Sequence, residues 1–132
     1  MKVLSPEKSF FTGDANEVVI STPKGRLGIM AGHSPMVVAV SEGTMEILCG
    51  DEWRIAAVGQ GFGEIMYGRA EFFLDTAEWA DEINEVRARE ALERAEHRIR
   101  SDMSRMEYLQ TQAAIHRALA RLKAAESFHT KH

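Results

Sequence analysis

Residues 23–47 read PKGRLGIMAGHSPMVVAVSEGTMEI, and this stretch decides the class of fold. Leu27-Gly28-Ile29, Met36-Val37-Val38-Ala39-Val40 and Met45-Glu46-Ile47-Leu48 are short runs rich in β-branched and large apolar residues, each bounded by glycine or proline. Glycine accepts backbone angles that other residues resist, and proline ends a hydrogen-bonded ladder, so Gly25, Gly32, Pro35 and Gly43 read as turns. Strands so short and so close leave no room for the helices of an α/β crossover sheet.

The same grammar extends in both directions. Val18-Val19-Ile20 precedes the turn Thr22-Pro23-Lys24-Gly25; Trp53-Arg54-Ile55-Ala56 follows Gly50-Asp51-Glu52, and Glu71-Phe72-Phe73-Leu74 follows Gly68. This spacing predicts a sandwich or barrel of many short strands. Glycines 59, 61 and 63 form GQGFG, which has the look of a dinucleotide fingerprint but lacks the helix that must follow one.

Beyond Gly68 the grammar changes, because all ten glycines and all three prolines lie at or before that residue. Charge divides as well. Residues 1–80 hold six lysines and arginines against eleven acidic residues, and residues 81–132 hold ten against nine. The boundary therefore falls near Ala80, giving a β domain over 1–80 and a helical domain over 81–132. Ala88, Ala91, Leu92, Ala95 and Ile99 recur at helical spacing, and so do Tyr108, Ile115, Leu119 and Leu122. Arg100-Ser101-Asp102-Met103-Ser104 interrupts the pattern, and Ser104 with Glu107 forms a capping box that starts the second helix. A loop this short makes an antiparallel hairpin. Its stripes are narrow and rich in alanine, so at about 0.8 kcal/mol per buried methylene the hairpin is weakly self-stabilised. Such an element docks on something larger or exchanges between packings.

The totals exclude several functions. At 132 residues, with 45% hydrophobic and 27% charged, the chain is an ordinary folded protein, and no run approaches the ~20 apolar residues of a spanning helix. No direct membrane insertion is expected. A net charge of −4 offers no counterion-release drive toward nucleic acid. MKVLSPEKSF lacks the apolar run of a signal peptide, and the single cysteine, Cys49, has no internal partner and suits a reducing compartment.

Chemistry is sparse. His97 and His116 lie on helices, apart from any Cys or second His at metal-ligand spacing, and His129 and His132 sit in a tail expected to fray. No catalytic residues or metal are assigned. His33, in Gly32-His33-Ser34-Pro35, either stitches its turn or serves as a contact on a binding loop. Arg87 and Arg94 share one helix face, as do Arg117 and Arg121, and folded antiparallel the two pairs would converge. Clustered arginines suit phosphate through bidentate bonds, while on helices so rich in both signs they equally suit a solvated face paired with Glu82, Glu85, Glu90, Glu93 and Glu96.

Residues 23–47 resemble the epsilon subunit of F-type ATP synthases. That family shows a Gly-x-Leu-Gly turn, a Gly-His-x-Pro turn, and a strand leading to Pro-Gly. Gly25, Leu27, Gly28, Gly32, His33 and Pro35 match, and Glu42-Gly43 replaces the Pro-Gly. Ser5-Pro6-Glu7-Lys8 and Arg117-Ala118-Leu119-Ala120-Arg121-Leu122 are similar to the family too, so the likeness covers nearly the whole chain. It implies an antiparallel β-sandwich of about ten short strands followed by an antiparallel two-helix hairpin. It implies a non-catalytic subunit, peripheral on the cytoplasmic face of the bacterial cell membrane. The sandwich would be seated between the gamma subunit of the central stalk and the membrane c-ring. The hairpin would lie folded on the sandwich, or extend toward the alpha and beta subunits of the catalytic head and inhibit ATP hydrolysis.

The resemblance also assigns residues. Some members bind ATP as a regulatory ligand, with no cofactor required, through an Ile/Leu-Asp-x-x-Arg-Ala motif on the folded hairpin. Ile83, Asn84, Arg87 and Ala88 match it with asparagine in place of aspartate, and Glu78, Arg94, Arg117 and Arg121 fall at the family's other ligand positions. An amide keeps one acceptor and loses the charge, so contacts there would survive weakened. The loop from Arg26 to His33, with Leu27, Gly28, Met30 and Gly32, resembles the part that meets the ring. The basic stripe Arg87, Arg94, Arg98, Arg105, Arg117 and Arg121 is a candidate for the acidic surfaces of the head. A free-standing ATP-binding sensor module is the alternative function, separable by co-purification. A small enzyme built on GQGFG fails for want of a helix and a nucleophile.

Overall fold

The computed structural model describes residues 1–100 and 102–131, with side chains described through Phe128 except that of Ser101. Ten strands form two five-stranded sheets. They are β1 (Lys2–Leu4), β2 (Ser9–Thr12), β3 (Glu17–Thr22), β4 (Gly25–Met30), β5 (Met36–Val40), β6 (Gly43–Cys49), β7 (Glu52–Val58), β8 (Gly61–Met66), β9 (Arg69–Leu74) and β10 (Ala77–Trp79). One sheet runs β2-β1-β9-β8-β5 and the other β10-β7-β6-β3-β4. All ladders are antiparallel except β1 with β9, where the first strand is inserted beside a partner far along the chain and no hairpin constrains its direction. Val3, Ile20, Met45, Ile47 and Phe72 are fully buried between the sheets.

GQGFG belongs to this sandwich. Gly61 and Gly63 lie in β8, which is followed by a turn and β9. A Cβ on Gly61 would run into the Phe73 carbonyl oxygen, and one on Gly63 would stand 2.6 Å from the Phe72 ring. The glycines admit a close strand contact.

After β10 a 3₁₀ turn (Ala80–Glu82) leads to α1 (Glu85–His97) and α2 (Arg105–Lys131). Ser104 caps α2 as its spacing predicts: the Glu107 backbone N–H donates to Ser104 Oγ at 3.1 Å, and the Ser104 hydroxyl lies 3.2 Å from the Glu107 carboxylate. The hairpin lies on the outer face of the second sheet. Ile55 and Ala57 of β7 point outward and pack with Ala80, Ile83, Ala88, Ala124 and Ala125, while Ala56 and Val58 point inward to the main core. β7 is thus covered on both faces, which is why it reads Ile-Ala-Ala-Val rather than alternating.

Three helical expectations are corrected. α1 ends at His97, and Ile99 lies beyond it, exposed. The predicted stripe of α2 is only partly its buried face: Tyr108 and Leu119 are 45% and 48% exposed, whereas Ile115 is half-buried, Leu122 packs against the hairpin–sheet core, and Thr111, Ala118, Ala120, Ala124 and Ala125 are buried. Small side chains let the α2 backbone approach both α1 and the alanine-bearing sheet, with Leu122 and Phe128 packing at that seam, while Tyr108, Leu109 and Leu119 lie off it and turn outward. The tail expected to fray is helical to Lys131; His132 and the side chain of His129 lie outside the described residues.

Candidate functional site

A cavity of about 270 Å³ lies where the hairpin meets β7 and β10, and the residues that decide its chemistry are Glu78, Arg98, Arg117 and Arg121. Glu78 is on β10, one residue before Trp79, which stacks on Phe10 at 4.3 Å and lies 3.7 Å beneath the Arg54 guanidinium. That layered packing holds the end of β10 rigid. Arg121, at the middle of α2, reaches across to Glu78 with two bonds, Nε to Oε2 at 2.8 Å and Nη2 to Oε1 at 3.1 Å. Both side chains are about one-third exposed. Arg98 and Arg117 border the same cavity and carry no ion pair among the described residues.

The sequence-derived ligand set divides here. Glu78, Arg117 and Arg121 come together. Ile83 and Ala88 are buried in the hairpin–sheet core and shape the floor of the interface rather than a binding surface. Asn84 caps α1, its Oδ1 accepting the Arg87 backbone N–H at 3.1 Å. Arg87 and Arg94 are exposed on α1 and do not converge with the α2 pair; Arg94 lies in a shallow surface depression with Glu90, Glu93 and His97. α1 turns Ala91 toward the cavity and leaves its arginines to either side, so Arg98, one turn beyond Arg94, takes the place at the rim. Sequence reasoning put Arg98 in the basic stripe and not in the ligand set. At about 270 Å³ the cavity sits at the lower end of ligand-pocket sizes, room for a phosphate group or a single ring.

The partner-facing set divides as well, and the loop expected from Arg26 to His33 is mostly strand. Residues 26–30 belong to β4, whose pairing with β3 runs unbroken from Gly25–Thr22 to Met30–Glu17. At ~3.3 Å per residue Arg26 and Met30 are about 13 Å apart, at opposite ends of the sandwich. Arg26 is tied down, its Nη1 donating to Ser21 Oγ at 2.7 Å and to the Thr44 carbonyl. Leu27 packs against the main core, and Gly28 faces the Glu17 carboxylate. Gly32, with φ of +83°, forms the turn in which the His33 ring Nδ1 meets the Ser34 carbonyl at 2.8 Å, the stitching role. Around this turn lie the exposed side chains of Met30 and Tyr67 and a cavity of about 290 Å³ reaching down to Val18, Ile29 and Ile65.

One further surface has no counterpart in the sequence reading. The outer face of the first sheet bears no helix. It presents Val37 at 74% and Phe62 at 45% exposure, with Phe62 stacked on Phe73 at 5.1 Å. Among the described residues no group of three or more His, Cys, Asp or Glu is placed to hold a metal ion, and no helix is long and apolar enough to cross a membrane.

Comparison with known proteins gives the following. Residues 1–80 match the family described as ATP synthase, Delta/Epsilon chain, beta-sandwich domain, and residues 81–126 match ATP synthase, Delta/Epsilon chain, long alpha-helix domain. The ATP synthase epsilon chain of Ruminiclostridium cellulolyticum is 40% identical over 124 residues, covering 94% of this chain and 92% of that one. That of Caldicellulosiruptor bescii is 40% identical over 126 residues, covering 96% and 92%. Among solved structures, a chain of the Euglena gracilis mitochondrial ATP synthase (OSCP/F1/c-ring, rotational state 1) superposes with a TM-score of 0.81 at 21% identity, covering 94% of this chain and 78% of that one, and so shares the fold.

Proposed function

The chain belongs to the delta/epsilon chain family of ATP synthases, as an epsilon chain, and from that premise we propose that it is a non-catalytic coupling and regulatory subunit of the central stalk whose hairpin is a movable brake on ATP hydrolysis. The observation that carries the regulatory part is the make-up of the hairpin's seat. α2 is held to the sheet through alanines, Leu122, Phe128 and a forked ion pair, while Met106, Leu109 and Leu119 face solvent. A helix with a second, unused apolar face and a thin first one suits two packings that differ by only a few kcal/mol. Extended, α2 would reach about 40 Å at 1.5 Å per residue, carrying Arg105, Arg117 and Arg121 toward the alpha and beta subunits of the head.

A subunit that couples two bodies needs two separate surfaces, and the division of the partner-facing residues supports that. Val37 on the uncovered face, with His33 and the exposed Met30 and Tyr67 toward one end of the sandwich, suits lasting attachment to the gamma subunit, since permanent interfaces are the more hydrophobic. The opposite end, with Lys24 and Arg26, suits the polar loops of the membrane c-ring. Such seating makes the protein peripheral on the cytoplasmic face of the bacterial cell membrane, held by partners. Docking of the hairpin would be favoured by ATP, one phosphate group of which meets Arg98 and Arg117 beside the Glu78–Arg121 pair.

Removing residues 81–132 and reconstituting the enzyme tests the brake: hydrolysis rises with assembly intact, and an unchanged rate refutes it. Titration calorimetry of the purified chain with ATP tests the ligand, and an absence of heat at millimolar nucleotide removes it.

A further inference from the structure

Glu78 and Arg121 were both expected to contact a nucleotide, yet they hold each other. They are 43 residues apart, on either side of the joint at Ala80–Asn84, and their fork ties the last strand of the sandwich to the middle of α2. We infer that this ion pair is a latch, independent of nucleotide, that sets how long the arm stays docked; the inference rests on the reading of the hairpin as movable.

The apolar part of the interface does less to fix a register. Ile55, Ala57, Ala80, Ile83, Ala88, Ala124 and Ala125, with Leu122 and Phe128 packed against them, make contacts that are individually weak and non-directional. A two-point guanidinium–carboxylate bond is directional in both distance and plane, so it selects one register of α2 on the sheet. Among the described residues, Arg100 bonds Asp102 and Glu107, all within the hairpin. Arg26 and Glu46 stand within the sandwich. The carboxylate is mounted where a latch needs a fixed post, on β10, whose end is clamped by Trp79 between Phe10 and Arg54. It lies just ahead of the turn about which the arm would swing, so releasing Arg121 frees α2 while leaving the sandwich untouched.

The test uses the full chain without nucleotide, with Cys49→Ser and spin labels on cysteines introduced at the exposed positions Asp51 and Met106, and reads the docked and released populations as two label distances. Glu78→Gln and Arg121→Gln each raise the released-to-docked ratio by about fivefold, and the double variant adds little beyond either single change, as expected of coupled partners. The exchanged pair, Glu78→Arg with Arg121→Glu, returns the ratio toward that of the parent. Salt near ~1 M, which screens a partly exposed pair, raises release in the parent and leaves Glu78→Gln unmoved. Two populations whose ratio ignores both single changes, or single changes whose effects simply add, overturn the latch while leaving the movable arm standing. A single docked distance in the parent and in every variant overturns both.

Discussion

Asn84 Oδ1 accepts the backbone N–H of Arg87 at 3.1 Å, closing the first turn of α1 at the point where the chain leaves the sandwich. An asparagine at this position is therefore a working N-cap, whatever its part in ligand binding. Asn84→Ala costs about 1 kcal/mol of helix stability, within the ~0.5–2 kcal/mol range of lost caps. Asn84→Asp keeps the cap and places a negative charge at the positive end of the helix dipole, stabilising α1 by about 0.3–1 kcal/mol. Amide hydrogen exchange across residues 85–97 reads both changes, and an unprotected α1 in the parent would contradict the cap.

At Ala124 and Ala125, both fully buried, the seam under α2 has room for methyl groups and little more. Ala124→Leu inserts a bulky side chain between α2 and the sheet and destabilises docking by about 1–3 kcal/mol, without affecting the main core, where Ala124 has no part. Faster exchange along α2 with unchanged protection in β8 and β9 is the expected pattern. In the assembled enzyme the same variant hydrolyses ATP more slowly, because the displaced arm spends longer extended. Loss of protection in both places would mean that the sandwich depends on its hairpin.

β8 tolerates no side chain at Gly61. Gly61→Ala pushes a methyl into the backbone carbonyl of Phe73 and lowers stability toward urea by about 1–3 kcal/mol or more, since a strand must shift to relieve it. Gly63→Ala presses on the ring of Phe72, which is fully buried, and has an effect of the same sign. Wild-type midpoints for either variant would show that β8 and β9 do not approach as described.

The proposed seating puts Arg26 and His33 against different partners. His33→Ala, and Tyr67→Ser beside it, weaken attachment to the gamma subunit and leave the other end of the sandwich alone. Arg26→Ala removes hydrogen bonds to Ser21 and the Thr44 carbonyl, at about 1 kcal/mol each, and with Lys24→Ala weakens coupling to the ring. Pull-down with the gamma subunit and coupled proton pumping measure these apart. Equal effects of all four changes on both assays would refute the division.

Much of the architecture was legible in local chemistry. Recurring glycine and proline marked most of the strands between Glu17 and Leu74, while β1, β2, β8 and β10 were not read; the absence of both residues marked the helical half, and Ser104 with Glu107 marked the start of α2. The continuous Ile55-Ala56-Ala57-Val58 run carried a sign that was not used, for a strand apolar on both sides has something packed on each. The ligand residues were legible only as candidates, because spacing along a helix gives the face a side chain shares and not which neighbour that face will meet.

By itself the sequence determined that short strands precede two helices, the change of grammar near Ala80 and the family, all of which rest on turn chemistry, periodicity and motif over short distances. The tertiary structure alone decided that α2 buries its alanines and exposes Leu119, that Arg121 closes on Glu78 rather than standing free, and that Arg26 and His33 point to opposite ends. Those outcomes depend on how closely a helix axis can approach a sheet and on which residues, 43 apart in the chain, arrive at the same place, and no local pattern encodes either.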